Sequence, residues 1–174
     1  MKLIVLNGPS GIGKSTTALE LQKELPLSLL IDIDAQRRYI QGYKEHREES
    51  AKLSYKYAIA LTRAHLGFGY SVIVEKTALW ADWFLEELEQ SAQEYGAEFF
   101  EFILTAKKDI LLSRATERGF IEGGSLTLAK VGEMWEESEK LPARRPKAVV
   151  IDTSEITPDE TLRRVKENLN HNDS

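Results

Sequence analysis

The sequence predicts an α/β chain in three layers, a five-stranded parallel sheet with helices on both faces. Two observations carry this. Short runs rich in Ile, Val, Leu and Phe recur at residues 2–6, 28–33, 71–74, 98–104 and 147–151, each of strand length. Most are nearly continuous rather than alternating, as strands covered on both faces are. Segments with helical spacing lie between them, and such alternation calls for parallel pairing through right-handed crossovers.

Each element has its own signals. The run 2–6 is followed by a glycine-rich turn and a helix over 14–25. After the strand at 28–33, residues 49–66 carry Leu53, Tyr57, Ile59, Ala60 and Ala64 at helical spacing and end against Gly67 and Gly69, suited to a C-cap. The strand at 71–74 leads to a helix over 81–95, with Phe84, Leu85, Leu88 and Ala92 on one stripe and Gly96 closing it. A helix over 107–117 follows the fourth strand, and 127–140 is again helical. After the fifth strand, "TPDE" places Thr157 as N-cap, Pro158 at N1 and Glu160 at N3, a capping box opening a last helix. The polar end "NHNDS" is expected to fray. With no repeat or linker in view, residues 1–174 are expected to form a single domain.

Composition narrows the function. The chain has 174 residues, 42% hydrophobic and 29% charged, with a net charge of −5. That balance suits a globular protein and argues against a general binder of nucleic acid or membrane surfaces, which carries a basic field. The absence of cysteine excludes disulfides and thiolate metal sites. The apolar residues 3–6 are too few for a signal peptide, and no run approaches the roughly 20 residues of a membrane span. The expectation is a cytoplasmic protein, monomeric or homodimeric.

The chemistry begins at "GPSGIGKS", Gly8 to Ser15, which fits G-x-x-x-x-G-K-[ST] between a strand and a helix. Wrapping a triphosphate in backbone N–H groups demands conformations that side chains resist, and Gly8, Gly11 and Gly13 relieve that. Pro9, Ser10, Ile12 and Thr16 complete the loop. The helix starting near Lys14 lends its positive end. Lys14 reaches the β- and γ-phosphates, and the Ser15 hydroxyl suits Mg²⁺. The cofactors expected are therefore ATP and Mg²⁺.

Three further stretches bear on what is done with the triphosphate. In "IDIDAQRR", Asp32 and Asp34 share a strand face if extension persists that far. One acid suits the Mg²⁺ shell, and the other suits a proton from an attacking alcohol. The competing reading of Asp34 is a helix N-cap. Arg37 and Arg38 follow, placed to orient an acceptor. In "SVIVEKT", Glu75 stands where a strand-end acid would join the Mg²⁺ shell or orient the acceptor. In "SRATERGFIEGG", Arg114 and Arg118 are four apart on one helix face, and Gly119, Gly123 and Gly124 predict a mobile lid over about 118–145. Arg144 and Arg145 read as solvated loop residues. Met134 reads as packing, as does Phe84, and His46 and His65 as ordinary helix positions.

Together these motifs, spread over residues 2–153, resemble the nucleoside-monophosphate-kinase-like branch of P-loop kinases, which includes shikimate kinase, gluconate kinase, chloramphenicol phosphotransferase and polynucleotide kinase domains. The resemblance implies the P-loop NTPase fold with strand order 2-3-1-4-5. It implies Asp34 as general base, Arg37 on the acceptor, Arg114 near adenine, Arg118 at the phosphates, and residues 152–154 bordering the adenine. Three features depart from it: the glycine-rich substrate loop of shikimate kinase is absent, residues 35–69 do not read in detail as the substrate module of adenylate kinase although the Asp34/Arg37 spacing is shared there, and Glu75 stands where Asp is usual.

The leading functional expectation is an ATP-dependent phosphotransferase acting on a hydroxyl of a small molecule, because an alcohol needs a proton acceptor such as Asp34. Within the same chemistry stands a nucleotide or polynucleotide 5′-hydroxyl kinase acting on a short nucleic-acid end, with Arg37, Arg38, Lys44 and Arg47 on a phosphate and Tyr39 or Tyr43 on a base. Trp80, Trp83 and Trp135 are candidates for the acceptor wall, although for Trp83, on a helix, core packing is the stronger reading. A different class is an ATP-binding switch that phosphorylates no acceptor.

Overall fold

The computed structural model describes residues 1–117 and 127–170. Its strands are β1 Lys2–Asn7, β2 Leu29–Asp32, β3 Val72–Lys76, β4 Glu98–Thr105 and β5 Val149–Asp152. They form one sheet in the order β2-β3-β1-β4-β5, and every pairing is parallel. The order and the direction agree with the expectation from sequence. The helices are α1 Lys14–Gln22, α2 Ile33–Arg37, α3 Arg47–Gly67, α4 Asp82–Glu94, α5 Lys108–Glu117, α6 Leu128–Ser138, α7 Leu141–Arg144 and α8 Pro158–Asn170.

The continuous apolar strands are explained by two cores, one on each face. Along β1, Ile4 and Leu6 join α1, α5 and α8 through Ala18, Leu21, Leu111, Val165 and Leu169. Their neighbours Leu3 and Val5 point the other way, into Ala58, Ile59 and Leu66 of α3 and Phe84, Leu85 and Leu88 of α4. Each such side chain contributes about 1.5–3 kcal/mol by leaving water. Alternation therefore sorts every strand residue onto an α1 face or an α3/α4 face, and this sorting continues past the core to the strand ends.

Helix ends follow their residues. After α3 the chain passes Phe68 into Gly69, and after α4 it passes Tyr95 into Gly96, both glycines at positive φ. Thr157 caps α8 by accepting from the Glu160 N–H at 3.2 Å. The reciprocal half of the expected capping box is replaced, because Glu160 pairs with Arg163 and Arg164 instead.

Two differences from expectation affect the site. The second strand stops at Asp32, and the short helix α2, which its weak periodicity hides, begins at Ile33. Asp32 and Asp34 thus do not share a strand face. The segment 127–145 is fastened to the body: Val131 lies in the α1-side core, and Leu141 packs with Leu79 and Ile103. Nor is Arg145 solvated, and Arg144, though exposed, is paired. Arg145 bridges Glu101, at 2.8 Å, and Glu89, while Arg144 meets Asp82 and Glu137. Buried carboxylates on β4 and α4 require such partners, which outweighs loop composition. No helix among the described residues is long and apolar enough to cross a membrane.

Candidate functional site

The phosphate loop leaves β1 at Asn7, a fully buried amide that ties two loops together. Its Oδ1 accepts from the Gly8 N–H at 2.8 Å and from the Ala78 N–H at 2.9 Å. Gly8 has φ +140°, and a Cβ there would stand 2.4 Å from the Leu104 carbonyl oxygen, so no other residue fits. Gly13, at φ +105°, is the N-cap of α1 and offers no side chain to its free N–H groups. The first turn of α1 holds no acid. The turn therefore presents unsatisfied N–H donors and a positive helix end, the arrangement that receives phosphate. Pro9 and Ile12 are buried, Gly11 takes positive φ, and Ser10 and Thr16 flank the rim.

Lys14 is almost buried. Its Nζ donates to the Gly8 and Pro9 carbonyls at 3.0 and 2.9 Å and to Thr77 Oγ1 at 3.2 Å. It also lies 3.9 Å from Glu75 Oε1, whose side chain is 12% exposed. Burial pushes the Glu75 carboxyl up, Lys14 pulls it down, Asp32 and Asp34 raise it, and a hydrogen bond with Ser15 lowers it. Ser15 and Glu75 thus lie close to one another at the start of α1. Mg²⁺ is held by one or two protein oxygens while substrate phosphates and water complete its shell, so this pair fits it. Among the described residues no group of three or more His, Cys, Asp or Glu side chains could hold a metal ion.

Asp32 caps α2, accepting from the Ala35 N–H at 2.9 Å, and stands in register with Glu75. The cap expected as the alternative for Asp34 therefore falls on Asp32. Asp34 lies in the first turn of α2, 61% exposed, in an ion pair with Lys76. Its charge acts on both Glu75 and Tyr55. The Tyr55 hydroxyl is pushed up to about 12 by burial and by Asp34, with Arg37 opposing.

Arg37 is already tethered, donating to Ser50 Oγ at 2.9 Å and to the Tyr43 and Arg47 carbonyls at 3.3 and 2.6 Å. It orders the segment joining α2 to α3, and its partners are neutral oxygens. Arg38 is exposed. Arg114 donates to Thr153 Oγ1 at 3.0 Å and to its carbonyl at 2.8 Å, joining α5 to the loop after β5. Arg118 and the glycines at 119, 123 and 124 lie outside the described residues.

Sequence reasoning missed Asn7, Thr77 and Lys76. The strand alternation held a signal for Lys76: if Glu75 faces α1, the next residue must face α3 and α4. Nothing in the sequence singled out Asn7.

The family model of the AAA domain (AAA_33) matches residues 3–141, which include all of the glycine-rich loop and its lysine. The chain belongs to this AAA domain family. No curated protein matches the AAA domain chain. Among solved structures it resembles a gluconokinase from Sinorhizobium meliloti 1021, with 20% identity, TM-score 0.66 and coverage of 99% of this chain and 98% of that one. It also resembles a sugar kinase from Janibacter sp. HTCC2649, with 17% identity, TM-score 0.68 and 95% and 92% covered. The tunicamycin resistance protein of Deinococcus radiodurans shares 16% identity at TM-score 0.61, with 97% and 96% covered. The AAA domain thus has the P-loop fold of these proteins over nearly its whole length.

Proposed function

We propose that this AAA domain is an ATP-dependent phosphotransferase that moves the γ-phosphoryl group of Mg-ATP to a hydroxyl of a small acceptor. The observation that carries the reading is Asp34. This carboxylate is open to solvent, belongs to neither cap nor core, and stands close enough to act on Glu75 beside Lys14 and Ser15. A switch that only binds nucleotide has no need of a proton acceptor on this side of Glu75.

In the proposed step the acceptor oxygen attacks the γ-phosphorus, the bond from that phosphorus to the β–γ bridging oxygen breaks, and ADP leaves with the electron pair. Asp34 takes the hydroxyl proton. Lys14 exchanges its loop carbonyls for phosphate oxygens, and the Gly13–Ser15 N–H groups face the developing charge. Ser15 and Glu75 would hold Mg²⁺, which when bound neutralises phosphate charge. Arg114, through Thr153, would shape the adenine side, and Arg37 and Arg38 the acceptor side. Arg118 would stand at the phosphates.

The test is ADP release from Mg-ATP with nucleosides, nucleoside monophosphates, 5′-hydroxyl oligonucleotides, sugar acids and hydroxyl-bearing antibiotics. Stimulation by one class, lost in Lys14→Ala, supports the reading. Tight ATP binding that no acceptor converts to faster turnover supports a switch.

A further inference from the structure

The acceptor end holds more charge and more aromatic surface than a proton transfer needs. Lys76 is only 13% exposed, and its ion-pair partner is Asp34. When Asp34 takes a proton it becomes neutral, so at the moment of transfer Lys76 would be left a nearly buried cation without a counter-charge. That is costly unless the acceptor brings an anion. Arg37, on the same short helix as Asp34, donates to neutral oxygens. Residues 33–47 hold four basic and two acidic side chains, in a chain whose net charge is −5.

The aromatic surface is continuous with that cation. Lys76 Nζ lies 5.7 Å from the centre of the Tyr55 ring, and the Trp83 ring meets Tyr55 edge-on at 5.6 Å. Trp83 sits in the first turn of α4, at the strand-end side of the sheet, and is 42% exposed. The core-packing reading suits Phe84, which is fully buried against Tyr55, but not Trp83. An exposed indole beside a cation offers a face on which a planar ring stacks.

We propose that the acceptor is an anionic compound with a planar ring, its anion paired with Lys76 and its ring laid on Trp83 and Tyr55. This rests on the phosphotransferase reading with Asp34 as base. The acceptor's anion takes Lys76 from Asp34, which frees the carboxylate for the hydroxyl proton. The bonds made and broken are those of the transfer above, with no other reactant.

The experiment follows ADP release from Mg-ATP with three probes: adenosine 3′-monophosphate, which has ring and anion; adenosine, which has the ring alone; and gluconate, which has an anion without a ring. The expected result is that kcat/KM for adenosine 3′-monophosphate exceeds that of each other probe by tenfold or more. Trp83→Leu should cost about tenfold in KM for that probe. Lys76→Met should erase the preference for the phosphate-bearing probe, and Lys76→Arg should keep most of it. Thermal melts of each variant separate misfolding from lost recognition. Gluconate turned over best with Trp83→Leu unaffected would overturn the proposal, as would adenosine used as well as its 3′-phosphate. In both cases acceptor-dependent turnover persists and the phosphotransferase reading stands. If no probe or wider acceptor raises ADP release while Mg-ATP binds, both fail together.

Discussion

Glu75 and Lys76 are neighbours in β3, yet they serve opposite faces of the sheet: Glu75 stands 3.9 Å from Lys14 of α1, while Lys76 pairs with Asp34 beside Tyr55 of α3. The pleat that sorts Ile73 and Val74 into different cores thus puts Glu75 beside the glycine-rich loop and Lys76 beside Asp34, within two residues. Asn7 holds the loops around this junction in place.

Asn7→Ala is expected to destabilise the fold by about 2–4 kcal/mol, because it leaves the buried Gly8 and Ala78 N–H groups without their acceptor. Urea unfolding measures the loss, and nucleotide affinity should fall with it. A variant as stable as wild type would show that these donors find other partners.

Gly8→Ala should abolish nucleotide binding at micromolar protein even where some fold remains. The new methyl must displace the Leu104 carbonyl at 2.4 Å and hold φ +140°, which alanine rarely adopts. Isothermal titration with ATP checks it; wild-type affinity would mean that the loop relaxes freely.

Lys14→Ala should lower kcat by about 10²–10³ through the loss of charge at the transferring group. Its fold should survive, since the lysine's hydrogen bonds in the free protein go to loop carbonyls and Thr77. Turnover together with circular dichroism separates the two effects. Full activity would contradict the assignment of the phosphate loop.

Most of the fold was legible because its signals are local. Continuous apolar runs, the glycines at 69 and 96 and the cap at Thr157 each declare an element within a few residues. What stayed hidden depends on distance in sequence. Arg145 looks solvated until β4 and α4 bring Glu101 and Glu89 to it. Helix α2 is too short for periodicity, so the cap fell on Asp32 rather than Asp34. In the site, the glycine-rich loop announced itself by motif, whereas Thr77 and Lys76 acquire meaning only once Lys14 and Asp34 are seen to touch them.

The Glu101–Arg145 pair gives stability a pH signature. Burial raises the Glu101 carboxyl above its ordinary 4.5 despite Arg145, and Glu89 and Asp82 add to the rise. At Arg145 burial opposes the charge, but two carboxylates outweigh it and hold the guanidinium protonated. Just above pH 4.5 the folded chain keeps a proton that the unfolded chain has lost, so the stability contributed by Glu101 falls as pH rises through that interval. Glu101→Gln removes this dependence. Urea midpoints from pH 4.5 to 7 should show wild type losing ground to the variant as pH rises, and a constant difference would contradict the assignment.

The central claim is that Asp34 accepts the proton of an attacking hydroxyl. The most direct measurement is the rate of phosphoryl transfer from Mg-ATP to the best acceptor, in wild type and in Asp34→Asn, with ATP affinity measured alongside. The account expects a fall of about 10² or more in kcat with ATP affinity nearly unchanged. Turnover that survived the change would leave Asp34 as the partner of Lys76 and nothing more.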